Sequence, residues 1–506
     1  MPCWRGRRWR AGLWATSAFP WARPTDCPTW PRTDGCALPC WGCGALRIPP
    51  ASTWHPPRGD CASRSGSPSS GTTRSSTARA WPNCSTRWAA RTSGWWPTRA
   101  PTWNFPERGW TMPPPFSSRG CAPPVSRPWP ALFPFDGAWM KTLDVSYEAM
   151  GARTARFDDY AGAEREGARA DAVRALWGGQ LVALMGARNT HGRFAEPRVP
   201  SPARACTGYA AWEAGRGSLP YRNPDAMENI LCLAGTLRVR FGPDLTHEIR
   251  LGRFDMLSIP ADVLHEVSCH GADGAKALLL LNGEPDCAYP AVFPGPLPTA
   301  VDARELAALN ARVEPGRGRE VDPDMMAQRV TRFATLVPYK RALNARSAIP
   351  AEATEWLTAS SVFPLLVPEG HVGRSQDAPL KGGPGLYVAI AECVPDDGPL
   401  PHAHFDTQES FFVLDGEWDI TWGFEDEYRL PVRAFDLVGV PTGAMRSFRN
   451  TGKETARLFV IIQGQERMSD TVVYSPEVGK EVSRRFGPEV VEAFRKVNIT
   501  FDAERA

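Results

Sequence analysis

The chain has 506 residues, 58 Lys and Arg against 55 Asp and Glu, and a formal charge of +3. That length allows two or three domains. The near balance, with no basic stripe, argues against nucleic acid or an anionic membrane as partner. After Met140 no apolar run reaches the ~20 residues that span a bilayer.

The mean charge hides two unlike parts. Residues 1–139 hold 17 Arg, no Lys and five acids, a net of +12, which leaves −9 for residues 140–506. The first part also carries 15 of the 20 Trp and 8 of the 13 Cys, yet one Ile, one Val and no Tyr. Its Pro, Ser, Arg, Gly and Trp follow neither period 2 nor period 3.6, so no face could be buried. This is the composition of GC-rich DNA read in a wrong frame upstream of a start at Met140; a disordered tail is the other reading. Cys36, Cys40 and Cys43 have zinc-like spacing, but no second Cys or His pair follows at a finger-like distance. The basic start imitates a signal peptide without its clean apolar run. No function is assigned to this segment.

From Met140 onward the chain repeats itself, and such self-similarity is sought before motifs are named. Glu228–Gly235 lines up with Glu409–Gly416, Leu237–Gly242 with Trp418–Gly423, and Phe254–Pro260 with Phe435–Pro441, all at an offset of 181. Upstream, Arg153-Thr-Ala-Arg-Phe157 matches Arg329-Val-Thr-Arg-Phe333 at 176. The expected domains are 140–315 and 316–506.

Each copy reads as mostly strand. Leu237, Val239 and Phe241 alternate with Arg238 and Arg240, the mark of a half-buried strand. Asp415-Gly416 is a tight hairpin signal. A linker helix is expected over 303–312, with Leu306 and Leu309 on one side, and another over 488–497 with Pro at its start. Many short strands with a small helical tail predict an all-β barrel in each copy. The five cysteines after Met140 (Cys206, Cys232, Cys269, Cys287, Cys393) show no paired pattern. They suit a reducing cytoplasm and the role of small buried hydrophobes.

The second copy contains His402-Ala-His404-Phe-Asp-Thr-Gln-Glu409. Two His two apart on a strand point to one face, and Glu409 can reach that face from the neighbouring strand. Two imidazoles and a carboxylate suit Fe(II), Mn(II) and similar ions, with positions left open for substrate or dioxygen. Phe411, Val413 and Ile420 are expected in the barrel interior. Trp418 and Trp422 are expected there too, as core or as a stacking surface.

Here the chain resembles the cupin superfamily. Its first motif, a His-x-His, a Glu, six residues and a Gly, is complete through Gly416. The second motif reads Pro441-Thr-Gly443-Ala-Met-Arg446-Ser-Phe-Arg-Asn450, with Arg446 where the family usually places a fourth, histidine ligand. The resemblance covers about 152–465 and implies two tandem double-stranded β-helix barrels with a site in the barrel mouth. It also implies a homodimer, since cupins pair edge strands or exchange N-terminal segments. Arginine stays protonated and has no lone pair to give. Two readings of Arg446 stand. It grips a substrate carboxylate beside a three-ligand metal, or it pairs with Glu409 and closes the site.

In the first copy Tyr221 and Asn223 fall where the motif His residues would be, while Glu228 and His265 survive. Two ligands rarely hold an ion against water, so a structural role is expected there. His191 and His371 sit just ahead of each barrel, and loop or packing roles are expected for both. The functional expectation is a metal-dependent enzyme, a dioxygenase-like oxidoreductase on a small carboxylated or phenolic metabolite. A non-catalytic small-molecule binder and a purely structural bicupin are the alternatives.

Overall fold

The computed structural model describes residues 139–506 except 163–165, 299–300, 340–346, 372–374, 465, 467 and 469. The expectations for the segment before Trp139 lie outside the described residues. The rest is mostly strand, folded as two barrels of two facing sheets. In the first barrel a seven-stranded sheet runs Val330–Thr331, Met256–Ile259, Ala226–Ala234, Ala275–Gly283, Ala205–Trp212, Gln180–Gly186, Val199–Pro200. A three-stranded sheet of His265–Cys269, Leu237–Phe241 and His247–Leu251 faces it. The second barrel repeats the plan with sheets of seven and six strands. Leu237–Phe241 alternates as expected, burying Leu237, Val239 and Phe241 more deeply than the two arginines between them.

Ala277-Leu-Leu-Leu-Leu281 is an unbroken apolar run because both its faces are covered. Ala277, Leu279 and Leu281 point into the first barrel's core. Leu278 and Leu280 point into a core shared between the barrels, where Phe459 and Ile461 meet them from the second barrel. Leu458, Val460 and Ile462, on the other face of that strand, fill the second barrel.

The barrels also exchange strands. Thr154–Ala155, which precedes the first barrel, pairs with Leu437–Val440 of the second. Val330–Thr331, which precedes the second, pairs with Met256–Ile259 of the first. The exchange is symmetrical in detail. Arg153 Nε donates to Gly439 O at 2.6 Å, and Arg329 Nε to Ser258 O at 2.7 Å. Phe157 N donates to Asp436 and Phe333 N to Asp255. The upstream repeat at offset 176 is therefore the pair of exchanged arms, and the swap the resemblance implied between subunits occurs within one chain.

Two helix expectations need correction. The linker helix is Ala303–Ala308, shorter than 303–312, because Asn310 turns into the left-handed region (φ 48°) and Ala311–Val313 becomes a strand paired with Ala291–Phe293. The C-terminal helix is Pro488–Arg495, and a longer one, Pro476–Phe486, comes before it. Ser475 caps that helix by accepting from Val478 N. The pair packs on Val472, Tyr474 and Ile499, so the tail that follows reaches one end of the second barrel. All five cysteines are free and buried. Among the described residues no helix is long and apolar enough to cross a membrane.

Candidate metal centre

His402 and His404 stand on the short strand His402–His404, which pairs with Arg446 on one side and Val472–Tyr474 on the other. Both side chains share one face, and Glu409 enters from Thr407–Val413. His402 Nδ1 lies 2.8 Å from Leu400 O. A carbonyl can only accept, so the proton sits on Nδ1 and Nε2 carries the lone pair. His404 Nδ1 hydrogen-bonds the Asp470 carboxylate, which fixes the same tautomer. This is the outer support that metal-bound imidazoles use. One ligand atom from each of His402, His404 and Glu409 lies within 4.8 Å of the others. The donor set fits a divalent cation.

Arg446 sits where the fourth ligand would be. Its Nε and Nη2 donate to Glu409 Oε2 at 2.9 and 2.6 Å, and Nη1 donates to His402 O at 3.0 Å. Arg446 is 1% exposed. It neutralises the ligand carboxylate and so weakens the pull on an added cation. Of the two readings of Arg446, the pairing with Glu409 is the contact present.

His402, His404 and Glu409 open onto a cavity of about 370 Å3. That falls in the roughly 300–1,000 Å3 range of small-molecule sites. Its walls are largely apolar, with Tyr387, Ala389 and Ala391 alternating inward from one strand and Val460 and Ile462 from the next. Asp470, His371 and Tyr474 also line it, and Arg446 does not.

The matching place in the first barrel is full. Glu228 is buried with Tyr221 Oη donating to Oε1 at 2.9 Å and Asn223 Nδ2 to Oε2 at 2.6 Å. His265 Nε2 lies 3.4 Å and Arg193 Nη2 3.5 Å from the same carboxylate. Burial alone would raise the Glu228 pKa; the His265 contact, Arg193 charge and Asn223 amide outweigh it and hold the group at about 2. Burial and the Glu228 charge push the Tyr221 phenol well above its usual range, so it stays a donor. The Arg193 guanidinium lies 5.5–5.7 Å from the ring centres of Trp177, Phe194 and Tyr221. Glu228 and His265 come together as the sequence suggested, but around an arginine.

The repeat register extends beyond the motifs. Leu219 N donates to Leu176 O in the first barrel, and Leu400 N to Leu357 O in the second, the two bonds related by the offset of 181. By that register Trp177 corresponds to Thr358, Phe194 to Ser375 and Phe293 to Tyr474. Thr358 and Ser375 both line the cavity. His371, for which the sequence suggested loop or packing duty, stands in its wall. Trp418 and Trp422 are fully buried, donate to Asp415 O and Val145 O, and are not in that wall. Phe411, Val413 and Ile420 lie in the second barrel's core. Sequence reasoning gave neither Arg193 nor Asp470 a role at a site; their partners are 35 and 66 residues away.

A family model described as a cupin domain matches residues 390–462. No curated protein matches the chain. Among solved structures the chain is similar to Bacillus subtilis oxalate decarboxylase at pH 4.6, with 15% identity over 53% of this chain and 70% of that one, TM-score 0.34. It is also similar to a formate complex of Lactobacillus farciminis oxalate decarboxylase, with 16% identity over 57% and 87%, TM-score 0.35. A third is a Bacillus subtilis oxalate decarboxylase studied for its Mn(II) centres, with 14% identity over 58% and 78%, TM-score 0.34. Residues 390–462 of the second barrel thus carry the match to the cupin domain model, and the first barrel repeats that barrel's strands at a constant offset.

Proposed function

We propose that the second barrel is a metal-dependent enzyme, a dioxygenase-like oxidoreductase acting on a small carboxylated or phenolic metabolite. The observation that carries this reading is the fixed tautomer of both imidazoles, whose lone pairs converge with Glu409 at the end of a cavity. His402, His404 and Glu409 would hold Fe(II) or Mn(II). Such an ion supplies Lewis-acid polarisation of a substrate oxygen or one-electron chemistry with dioxygen. The chain's own part is to hold His404 through Asp470, to pair Glu409 with Arg446, and to seat the substrate away from water. Elemental analysis of the full chain and of His404→Ala tests it. About one ion per chain is expected in the first and none in the second. No ion after loading with Fe, Mn, Ni or Zn would end the enzyme reading.

A second reading is favoured by one contact, the pairing of Arg446 with Glu409. In it the barrel binds a small molecule without metal, or serves only as structure. Ligand-induced thermal shifts would then survive His402→Ala.

A further inference from the structure

In the second barrel Glu409 pairs with Ile462 on the neighbouring strand, and Ile462 with Tyr387 on the next. The three side chains therefore stand in one row across the sheet, and all three line the cavity. Neighbouring strands lie about 4.8 Å apart, which puts the Cα of Tyr387 roughly 10 Å from that of Glu409. Ser375 arrives from the segment ahead of the barrel and also lines the cavity. Its Oγ donates to Tyr387 Oη at 3.4 Å. A phenol that accepts one hydrogen bond is polarised to donate its own proton.

The first barrel keeps the same row with other chemistry. There Glu228 pairs with Leu281, and Leu281 with Cys206. Phe194 takes the place of Ser375, and its ring lies against Gly208, where a Cβ would stand 2.0 Å from a ring carbon. Cys206 and Phe194 are both buried, so a thiol and a phenyl ring close that barrel. The open barrel sets two hydroxyls at the same positions, across Ile462 from the ligand carboxylate. Three other polar groups of the wall are turned to the protein. Tyr474 Oη donates to Leu357 O and Thr358 Oγ1 to Thr354 O, while Asp470 holds His404.

We propose that Tyr387, held by Ser375, is a specificity-determining residue and the second anchor of this cavity. The site then takes a ring-sized molecule with an oxygen at each end, one toward His402, His404 and Glu409 and the other toward the Tyr387 hydroxyl. The row sets the length. About 10 Å, less a contact of about 2–3 Å at each end, leaves about 5 Å, the span between two oxygens across one six-membered ring. This rests on the second barrel being a ligand site, as proposed above, and names what its far side recognises.

Calorimetric titration of the full chain with 4-(hydroxymethyl)phenol and 4-ethylphenol tests it, because the two differ only by a hydroxyl for a methyl. The diol is expected to bind about tenfold tighter to the wild type. In Tyr387→Phe that preference should fall to about twofold or less, with 4-ethylphenol held within about twofold of its wild-type affinity. Equal binding of the two probes to the wild type overturns the proposal, as does silence from both. So does a preference that survives in a Tyr387→Phe protein with a wild-type melting curve, since another polar group of the wall, such as His371 or Asn498, would then be the anchor. The ranking in the wild type stands whether or not the variant folds. Metal content, read on the same samples, separates this inference from the enzyme reading. Preference for the diol without metal sinks the enzyme and keeps the anchor; bound metal without the preference does the reverse.

Discussion

The two barrels share a strand plan and differ in what they enclose. The first is filled by Trp177, Phe194 and Arg193; the second has Thr358 and Ser375 at the matching ring positions and a cavity. Both bury the motif glutamate against an arginine, but the arginines come from different places. Arg193 arrives from the segment ahead of its barrel and lies among the rings. Arg446 arrives from the second motif and stays out of the cavity wall. A buried carboxylate needs a counter-cation, and where that cation stands decides whether the barrel is plugged or open.

Replacing each arginine would strain this comparison most. Arg193→Met strands Glu228 and should cost about 3–5 kcal/mol of stability, read as a lower urea midpoint that Mn(II) does not restore. Arg446→Met should lose a similar amount in chelator and regain much of it when Mn(II) is added, because the ion replaces the guanidinium beside Glu409. If both variants ignore Mn(II), the barrels are equally closed. A smaller effect sharpens the role of the support beneath His404. Asp470→Asn should lower metal affinity about ten- to hundredfold, measured by competition with a chelator, and an unchanged affinity would make Asp470 a packing residue only.

The least effect is confined to acid. The Glu228 pKa lies at about 2 when folded, below its ordinary 4.5. The folded state therefore resists protonation, and this contribution is complete above pH 4.5 and lost as pH falls toward about 2. Glu228→Gln should flatten the acid-unfolding curve in that window. A curve of unchanged slope would mean that the carboxylate does not couple to folding.

The fold was legible because duplication leaves a constant offset and because strands alternate, as Leu237 to Phe241 do. The His402–His404–Glu409 set was legible for a similar reason, being local in sequence. Its supports were not. Asp470 reaches His404 across 66 residues, and Arg193 reaches Glu228 across 35, so only the folded chain brings them together. The cavity was hidden differently. It exists through small residues, and Thr358 and Ser375 acquire meaning only beside Trp177 and Phe194. The upstream repeat of Arg153 and Arg329 was visible, but its crossing to the opposite barrel was not, since nothing local names the strand that receives each arm.

That crossing makes each half of the duplication an incomplete object. A polypeptide cut between 315 and 316 would give a first piece carrying the arm that Leu437–Val440 needs, and a second carrying the arm that Met256–Ile259 needs. Each would present an open sheet edge shaped for the other's arm. The pieces should therefore behave as cognate halves that recombine when mixed, much as two subunits of an ancestral homodimer would, rather than as freely portable modules.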